Sequence, residues 1–461
     1  MSRFKAGLPR PDAIAPPPPP SSASGLRVSR IEPARPKSVL TNVAPVNPLQ
    51  SIGFFFTAAY LATLYGFLSE LLDIVGHIHL PVAYIFGVPA LLAGAFGGRF
   101  SSLFRTRVGY YMTFFCAFMA ASVPFSLVHS ASLLLLKSTI LTEYSIFFLI
   151  AMLASTVRRV RILMYTVAAS CAIDLLVAVP YGVTIKGRFA FAAGSLANPN
   201  DFALHMLIGL PFFLLIFFDK RTAALLKLGA AAAILGMVYL TLQTGSRMGM
   251  ICLLIIGVFT MMKASFSQRI ALAVLTLSVV VALPAVAPET WARLSPMFNP
   301  AATHQSYAAR EATGSTLGRL DLLQRSLEVT LQHPVFGVGI GEFADAEAGL
   351  AKSEGIPARW QVTHNAYTQV SSECGVPAFL CFVAVIFGSL RLSLRLYDRT
   401  RRVPAYHQTA QMALNLALAT ACLAVGMFFD SLAYTYYPPV VAGLSVALWN
   451  ASQDEQRAQG S

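Results

Sequence analysis

Val108-Gly-Tyr-Tyr-Met-Thr-Phe-Phe-Cys-Ala-Phe-Met-Ala-Ala-Ser-Val-Pro-Phe-Ser-Leu-Val128 runs without a single charged side chain, directly behind Arg105 and Arg107. A stretch of that length and composition is a membrane span, since roughly 20 consecutive apolar residues are needed to cross the hydrocarbon core. Further windows of the same kind lie near 51–70, 79–97, 131–155, 160–180, 201–218, 223–243, 246–262, 269–287, 376–392, 409–429 and 433–450, which makes twelve. Composition agrees: 56% of the 461 residues are hydrophobic, 12% are charged and the mean hydropathy is +0.63, too few polar groups to cover a soluble globule of this size. The sequence therefore predicts an all-α, polytopic membrane protein.

Every second connection between windows is basic: Arg99, Arg105 and Arg107; Arg158, Arg159 and Arg161; Lys220, Arg221 and Lys227; Lys263 and Arg269; then Arg391, Arg395, Arg399, Arg401 and Arg402. By the positive-inside rule this side is the cytoplasm, which places both termini there. The formal charge of +13 is thus topological, and nucleic-acid binding, which needs basic residues clustered on exposed polar surface, is excluded. Residues 1–49 hold the proline run Pro16 to Pro20 and few large apolar residues, the composition of a disordered cytoplasmic tail. The first window is long enough to span and lies too far in for a cleaved signal peptide, so it reads as an uncleaved anchor. The expected organisation is tail 1–49, spans one to nine within 50–288, an extracytoplasmic loop domain 289–375, spans ten to twelve within 376–450 and a second cytoplasmic tail 451–461. The six cysteines lie mostly inside apolar windows and read as unpaired buried side chains.

In the long loop, Leu317, Leu320, Leu323, Leu327 and Leu331 recur at steps of three and four, with Arg319, Asp321, Arg325 and Glu328 between them, up to Pro334. This spacing predicts an amphipathic helix suited to the membrane rim. Phe336-Gly-Val-Gly-Ile-Gly-Glu-Phe343 follows. No strand precedes this glycine-rich turn and it lies on the side without nucleotides, so a phosphate loop is a poor reading.

Three side chains break the charge rule of their own protein: Arg188, Arg247 and His364 fall on the outer side. Arg247 stands in Thr244-Gly-Ser-Arg-Met-Gly249 at the start of a window, where a helix N-terminus already favours an anion; the alternative is an arginine snorkelling to the interface. Arg188 follows Lys186 and Gly187 in a short outer connection, ahead of Gly194-Ser-Leu-Ala-Asn-Pro-Asn-Asp201, in which Asn198-Pro199 reads as a helix cap with proline in the first turn. Two guanidiniums on neighbouring outer loops suit the forked recognition of a diphosphate. His364-Asn365-Ala-Tyr367 returns the chain to the membrane on the same side, where an imidazole can take a proton from an attacking hydroxyl. A lone loop histidine is otherwise an ordinary surface residue. Glu373 either orients it, binds substrate or caps a helix.

Taken together and in order, Arg188 with Asn198-Pro-Asn, Thr244-Gly-Ser-Arg247, Arg319 with His333-Pro-Val-Phe-Gly-Val-Gly-Ile-Gly341, and His364-Asn-Ala-Tyr367 with Glu373-Cys-Gly375 resemble the O-antigen ligase and polymerase superfamily, over about residues 180–395. The resemblance implies a GT-C-type membrane glycosyltransferase, resident in the bacterial inner membrane, with its site facing the periplasm. It would take a glycan from undecaprenyl diphosphate and pass it to a hydroxyl of lipid A core, of another glycan or of a protein. On that reading Arg188 and Arg247 bind the diphosphate, His364 is catalytic, and Arg319, Asn365, Tyr367 and Glu373 are candidates for substrate binding. No cofactor is implied, and Asp345-Ala-Glu347 is a poor substitute for an Asp-x-Asp metal signature. Ligation, polymerisation of O-antigen or exopolysaccharide, and protein O-glycosylation share these motifs. A polysaccharide transporter is the competing class, which the late, single outer loop and the lack of two matching halves disfavour.

Overall fold

The computed structural model describes residues 48–191, 194–263, 266–299, 301–302 and 306–460; all but the last two residues of the expected 1–49 tail lie outside them. The N-terminal half runs α1 (Pro48–Tyr65), α2 (Leu68–Gly76), α3 (Val82–Gly97), α4 (Phe100–Leu103), α5 (Arg107–Ser122), α6 (His129–Ser138), α7 (Ser145–Leu153), α8 (Val157–Tyr181), α9 (Pro199–Phe218), α10 (Ala224–Gln243), α11 (Arg247–Lys263) and α12 (Phe266–Val286). Then follow α13 (Pro288–Phe298), α14 (Tyr307–Gln332), α15 (Phe343–Ser353), α16 (Ala366–Thr400), α17 (His407–Gly426) and α18 (Tyr437–Gly460). The exception to all-α is a hairpin between α8 and α9, β1 (Gly182–Ile185) and β2 (Arg188–Phe191), paired antiparallel with Ile185 opposite Arg188. Lys186 at φ 50 and Gly187 at φ 75 close it, the positive-φ pair that matches strand twist in a two-residue turn.

Helices cover all twelve apolar windows, but among the described residues seven are long and apolar enough to cross a membrane, or eight if the bent pair α1 and α2 is one span. The shortfall has visible causes. α3 and α11 are apolar but short; α18 continues through polar residues to Gly460, so residues 451–460 are helix rather than tail. The fourth window is one of the seven, a single span from His129 to Leu153 in which a π-helical turn, Thr139–Tyr144, joins α6 to α7. The chain is a multi-pass membrane protein. The first basic connection meets the last helix, where Arg99 and Arg105 both bond Asp454 of α18 at 3.2 and 2.8 Å. All six cysteines are free.

α9 packs against α8, α10, α11 and α17 and is buried along most of its length, as is α17. Over the other end of the bundle lie α13, α14 and α15. The buried face of α14 is made of Ala308, Ala309, Ala312, Leu322, Ser326, Val329 and Thr330, and the helix packs against α13, α15 and α16. The leucine stripe read from the sequence is the opposite face, with Leu317 64% and Leu331 80% exposed.

The glycine-rich turn 336–341 has a structural use. α16 is two helices joined at Gly375, where φ is 86°; a Cβ there would come within 2.1 Å of the Val335 carbonyl oxygen, so only glycine fits. The break frees carbonyls, and the turn returns amides to them: Val338 N donates to Ser372 O and Gly339 N to Glu373 O, both at 2.9 Å. Glu373 completes the clamp by accepting from Gly341 N at 2.9 Å.

Candidate functional site

The hairpin sets Arg188 where its guanidinium is used twice within the protein: Nε donates to Thr244 O and Nη2 to Asn200 Oδ1, each at 2.7 Å. Asn200 can be there because Asn198 caps α9, accepting from Asn200 N at 2.9 Å, with Pro199 in the first turn. The Arg188 bond to Thr244 ties this corner to the Thr244-Gly-Ser-Arg247 turn. There Gly245 takes φ 57 and Ser246 Oγ caps α11 by accepting from Gly249 N at 3.2 Å.

Arg247 reaches the opposite way, to α14, where its Nη2 donates to Ala312 O at 2.9 Å and Thr316 Oγ1 at 2.7 Å. Buried Arg293 of α13 donates to Gly245 O at 3.3 Å and pairs with Glu311 of α14. Arg319, one turn beyond Thr316 on α14, has no hydrogen bond or ion pair among the described residues. Its charge is felt at Arg188, as are those of Arg293 and Arg247. Arg188, Arg247, Arg293 and Arg319 thus lie within range of one another's charge, and Glu311, paired with Arg293, stands among them. Burial, and then the neighbouring arginines, pull Arg188 down to about 10 from its ordinary value, whereas Arg293 holds the Glu311 carboxyl below the usual range despite its partial burial. At an effective dielectric of about 20, two like charges about 8 Å apart repel by about 2 kcal/mol. A doubly charged anion would reverse that sign, and each guanidinium keeps N–H donors beyond those its protein bonds consume.

Beside this cluster is an acidic relay. Asp201, in the first turn of α9, is in side-chain contact with Asp430 from the turn between α17 and α18, and lies within the field of Arg319. Two buried carboxyls in contact share one proton, and Asp201 Oδ1 and Asp430 Oδ2 have no other donor among the described residues. Asp430 Oδ1 accepts from Ser431 N at 2.9 Å and stands 3.7 Å from His364 Nδ1. Burial raises Asp430, but His364 and the Asp201 carboxyl outweigh it and hold the group below the usual carboxylate range. His364 itself is one quarter exposed and sits at φ 50, a left-handed conformation that costs a non-glycine residue on the order of 1 kcal/mol. The surroundings enforce it: Thr363 Oγ1 bonds Ser431 Oγ at 3.0 Å and Ala366 N bonds Met427 O at 2.8 Å.

The structure thus brings Arg188, Arg247 and Arg319 together, and through Asp201 and Asp430 joins them to His364. The remaining three candidates turn their polar atoms inward. Asn365 Oδ1 caps α16, accepting from Tyr367 N and Thr368 N at 3.0 and 3.2 Å. Tyr367 donates its hydroxyl to Ala424 O at 2.9 Å, and Glu373 is buried in the glycine clamp. Sequence reasoning passed over Asp201, Asp430, Asn200, Arg293 and Glu311. Asp201 looked like part of a helix cap, and Asp430 falls in a connection of a few residues between two windows; a carboxylate in an outer turn so short was the available signal. Among the described residues no group of three or more His, Cys, Asp or Glu is placed to hold a metal ion.

A multi-pass helical protein with converging arginines beside a histidine–carboxylate chain is suited to handling a lipid-borne anion. Residues 232–383 match the family described as O-Antigen ligase, a segment from α10 into α16 that includes Arg247, Arg293, Arg319 and His364 but not Arg188, Asp201 or Asp430. The resemblance to the O-antigen ligase superfamily is thereby shown; that family suggests a glycan-transferase type of activity and implies lipid-linked glycan and acceptor partners in general. No curated protein matches the chain.

Proposed function

We propose that this protein transfers a glycan from undecaprenyl diphosphate to an acceptor hydroxyl on the periplasmic face of the bacterial inner membrane, as a GT-C-type, O-antigen ligase-like enzyme that crosses the bilayer twelve times with both termini inside. The observation that carries this reading is the meeting of Arg188, Arg247 and Arg319 next to the His364–Asp430–Asp201 chain. The arginines hold the diphosphate and stabilise the charge that grows on it as the anomeric carbon–oxygen bond breaks. His364 takes the proton of the acceptor hydroxyl as that oxygen bonds the anomeric carbon, and Asp430 stabilises the imidazolium formed. Arg293 with Glu311 fixes the Gly245 turn and so the start of α11.

The test is reconstitution of the full chain in vesicles with an undecaprenyl-diphosphate-linked oligosaccharide, followed by identification of what the glycan becomes attached to. Attachment to lipid A core, to a second lipid-linked unit or to protein separates ligase, polymerase and protein-glycosylating activities. His364→Ala and Arg247→Ala are expected to insert normally and lose turnover; full activity in both variants refutes the site.

A further inference from the structure

One helical turn below Asp201, α9 carries His205, fully buried in the bundle. Its Nε2 lies 3.0 Å from Asp174 Oδ2 of α8, and its Nδ1 lies 3.0 Å from the Tyr437 hydroxyl at the start of α18. Asp174 is likewise fully buried. The other groups facing this histidine are Cys171 of α8, 3.8 Å from Nε2, and the rings of Tyr65 of α1 and of Phe67, with centroids 4.9 and 5.6 Å away; Tyr436, just ahead of α18, packs behind Tyr65. Three polar atoms of this cluster, Asp174 Oδ1 and the hydroxyls of Tyr65 and Tyr436, have no hydrogen-bond partner among the described residues.

Stability does not explain such a cluster. An ion pair buried among apolar helices is commonly replaceable by apolar side chains without loss, and each orphaned polar atom is a cost in itself. Inside a membrane protein, an ionisable pair marks a pathway for protons or ions. Its position points to one: Asp201 and His205 stand one turn apart on the same face of α9, Asp430 and Tyr437 flank the same short turn, and Tyr437 is close enough to Asp201 to feel its charge. The two contacts between α9 and this turn, Asp201 with Asp430 and His205 with Tyr437, therefore form successive links of one chain.

We propose that Tyr437, His205 and Asp174 form a proton relay behind the active site, an inference that rests on the transferase reading above. The acceptor's proton moves from His364 to the Asp201–Asp430 pair. The pair then passes a proton to the Tyr437 oxygen while the Tyr437 hydroxyl proton moves to His205 Nδ1, leaving an imidazolium held by Asp174. The same steps in reverse return one proton through the carboxyl pair to His364, which releases it to the oxygen of the departed diphosphate. One O–H and one anomeric C–O bond break, and one of each forms. The relay residues touch no substrate and act only through the carboxyl pair.

Two readouts on the full chain test this in His205→Gln and Tyr437→Phe, the second of which removes only a hydroxyl and serves if the first does not fold. In vesicles supplied with lipid-linked oligosaccharide, the relay predicts a kcat lowered roughly 10- to 100-fold with donor KM unchanged. It also predicts that the acid limb of log kcat, which has a slope approaching two in the unaltered protein because two imidazoles must be neutral in turn, falls to one in His205→Gln. Without substrate, an infrared pH titration of the protonated-carboxyl band should have its midpoint displaced in His205→Gln, since the side chain that links Asp174 to the Tyr437 hydroxyl is gone. A slope and midpoint equal to the unaltered protein's in a folded variant overturn the relay. If the unaltered protein transfers no glycan, the transferase reading falls, and the substrate-free titration alone decides whether the histidine and the carboxyl pair are coupled.

Discussion

Replacing Arg188 by lysine keeps the charge and removes the fork, and the consequences follow from two features of the site. Arg188 makes two hydrogen bonds of 2.7 Å, to Thr244 O and Asn200 Oδ1, and an ammonium on a flexible stem cannot serve both acceptors and an incoming phosphate at once. Losing one charge-assisted bond costs about 2 kcal/mol, or about a 30-fold fall in kcat/KM for the lipid-linked donor. The second feature is electrostatic. Burial and the surrounding arginines bring Arg188 down to about 10, and the same surroundings acting on a lysine, ordinarily near 10.4, bring it to about 8. A depressed cation is fully charged below its folded value and loses charge as pH rises through it. Transfer by Arg188→Lys should therefore collapse above about pH 8, while the unaltered protein keeps its cluster charged about two units further. Initial rates in vesicles from pH 6 to 9.5, with thermal melting to confirm folding, measure both effects. A variant within threefold of the unaltered kcat/KM and sharing its alkaline limit would refute the reasoning.

Arg319→Ala removes a cation with no hydrogen bond or ion pair among the described residues, so donor KM should rise about tenfold while the melting temperature stays within a degree or two; a large loss of stability with unchanged KM would assign Arg319 a structural role. Asp430 is held below the usual carboxylate range, so its contribution to stability is present above the unfolded value of about 3.9 and is lost as pH falls through the lower folded value. Asp430→Asn should flatten the acid side of a melting-temperature profile and reduce turnover at neutral pH by about 100-fold; a profile parallel to the unaltered protein's argues against the charge. Gly375→Ala places a Cβ against the Val335 carbonyl at a backbone angle alanine avoids, and should cost 3 kcal/mol or roughly that much, seen as failure to accumulate or a strongly lowered melting temperature. Because arginines take the place of a metal in this scheme, chelation should leave transfer unchanged, and restoration of a lost activity by a divalent cation would contradict it.

Much of the site was legible before any coordinates. Arg188, Arg247 and His364 stand out because they fall in outer connections while most Lys and Arg fall on the other side, and Arg319 because the motifs around it have a characteristic order. Asp201 and Asp430 did not stand out: acidic residues scarcely enter the positive-inside rule, and their contact joins positions more than two hundred residues apart. Asn365, Tyr367 and Glu373 lie beside the histidine in sequence, yet a helix cap, a bond to Ala424 O and the clamp on the glycine turn take up their polar groups. The hairpin bearing Arg188 was hidden between two windows, since a few residues of alternation are a weaker signal than a span.

Hydropathy along the chain was enough to establish that this is a helical membrane protein and where its apolar segments lie, because the bilayer imposes those requirements on each segment separately. Whether a helix is long enough to cross, which face of α14 is buried, and which carboxylate meets the histidine depended on packing. Those outcomes arise from contacts between distant segments, and no local pattern of residues encodes them.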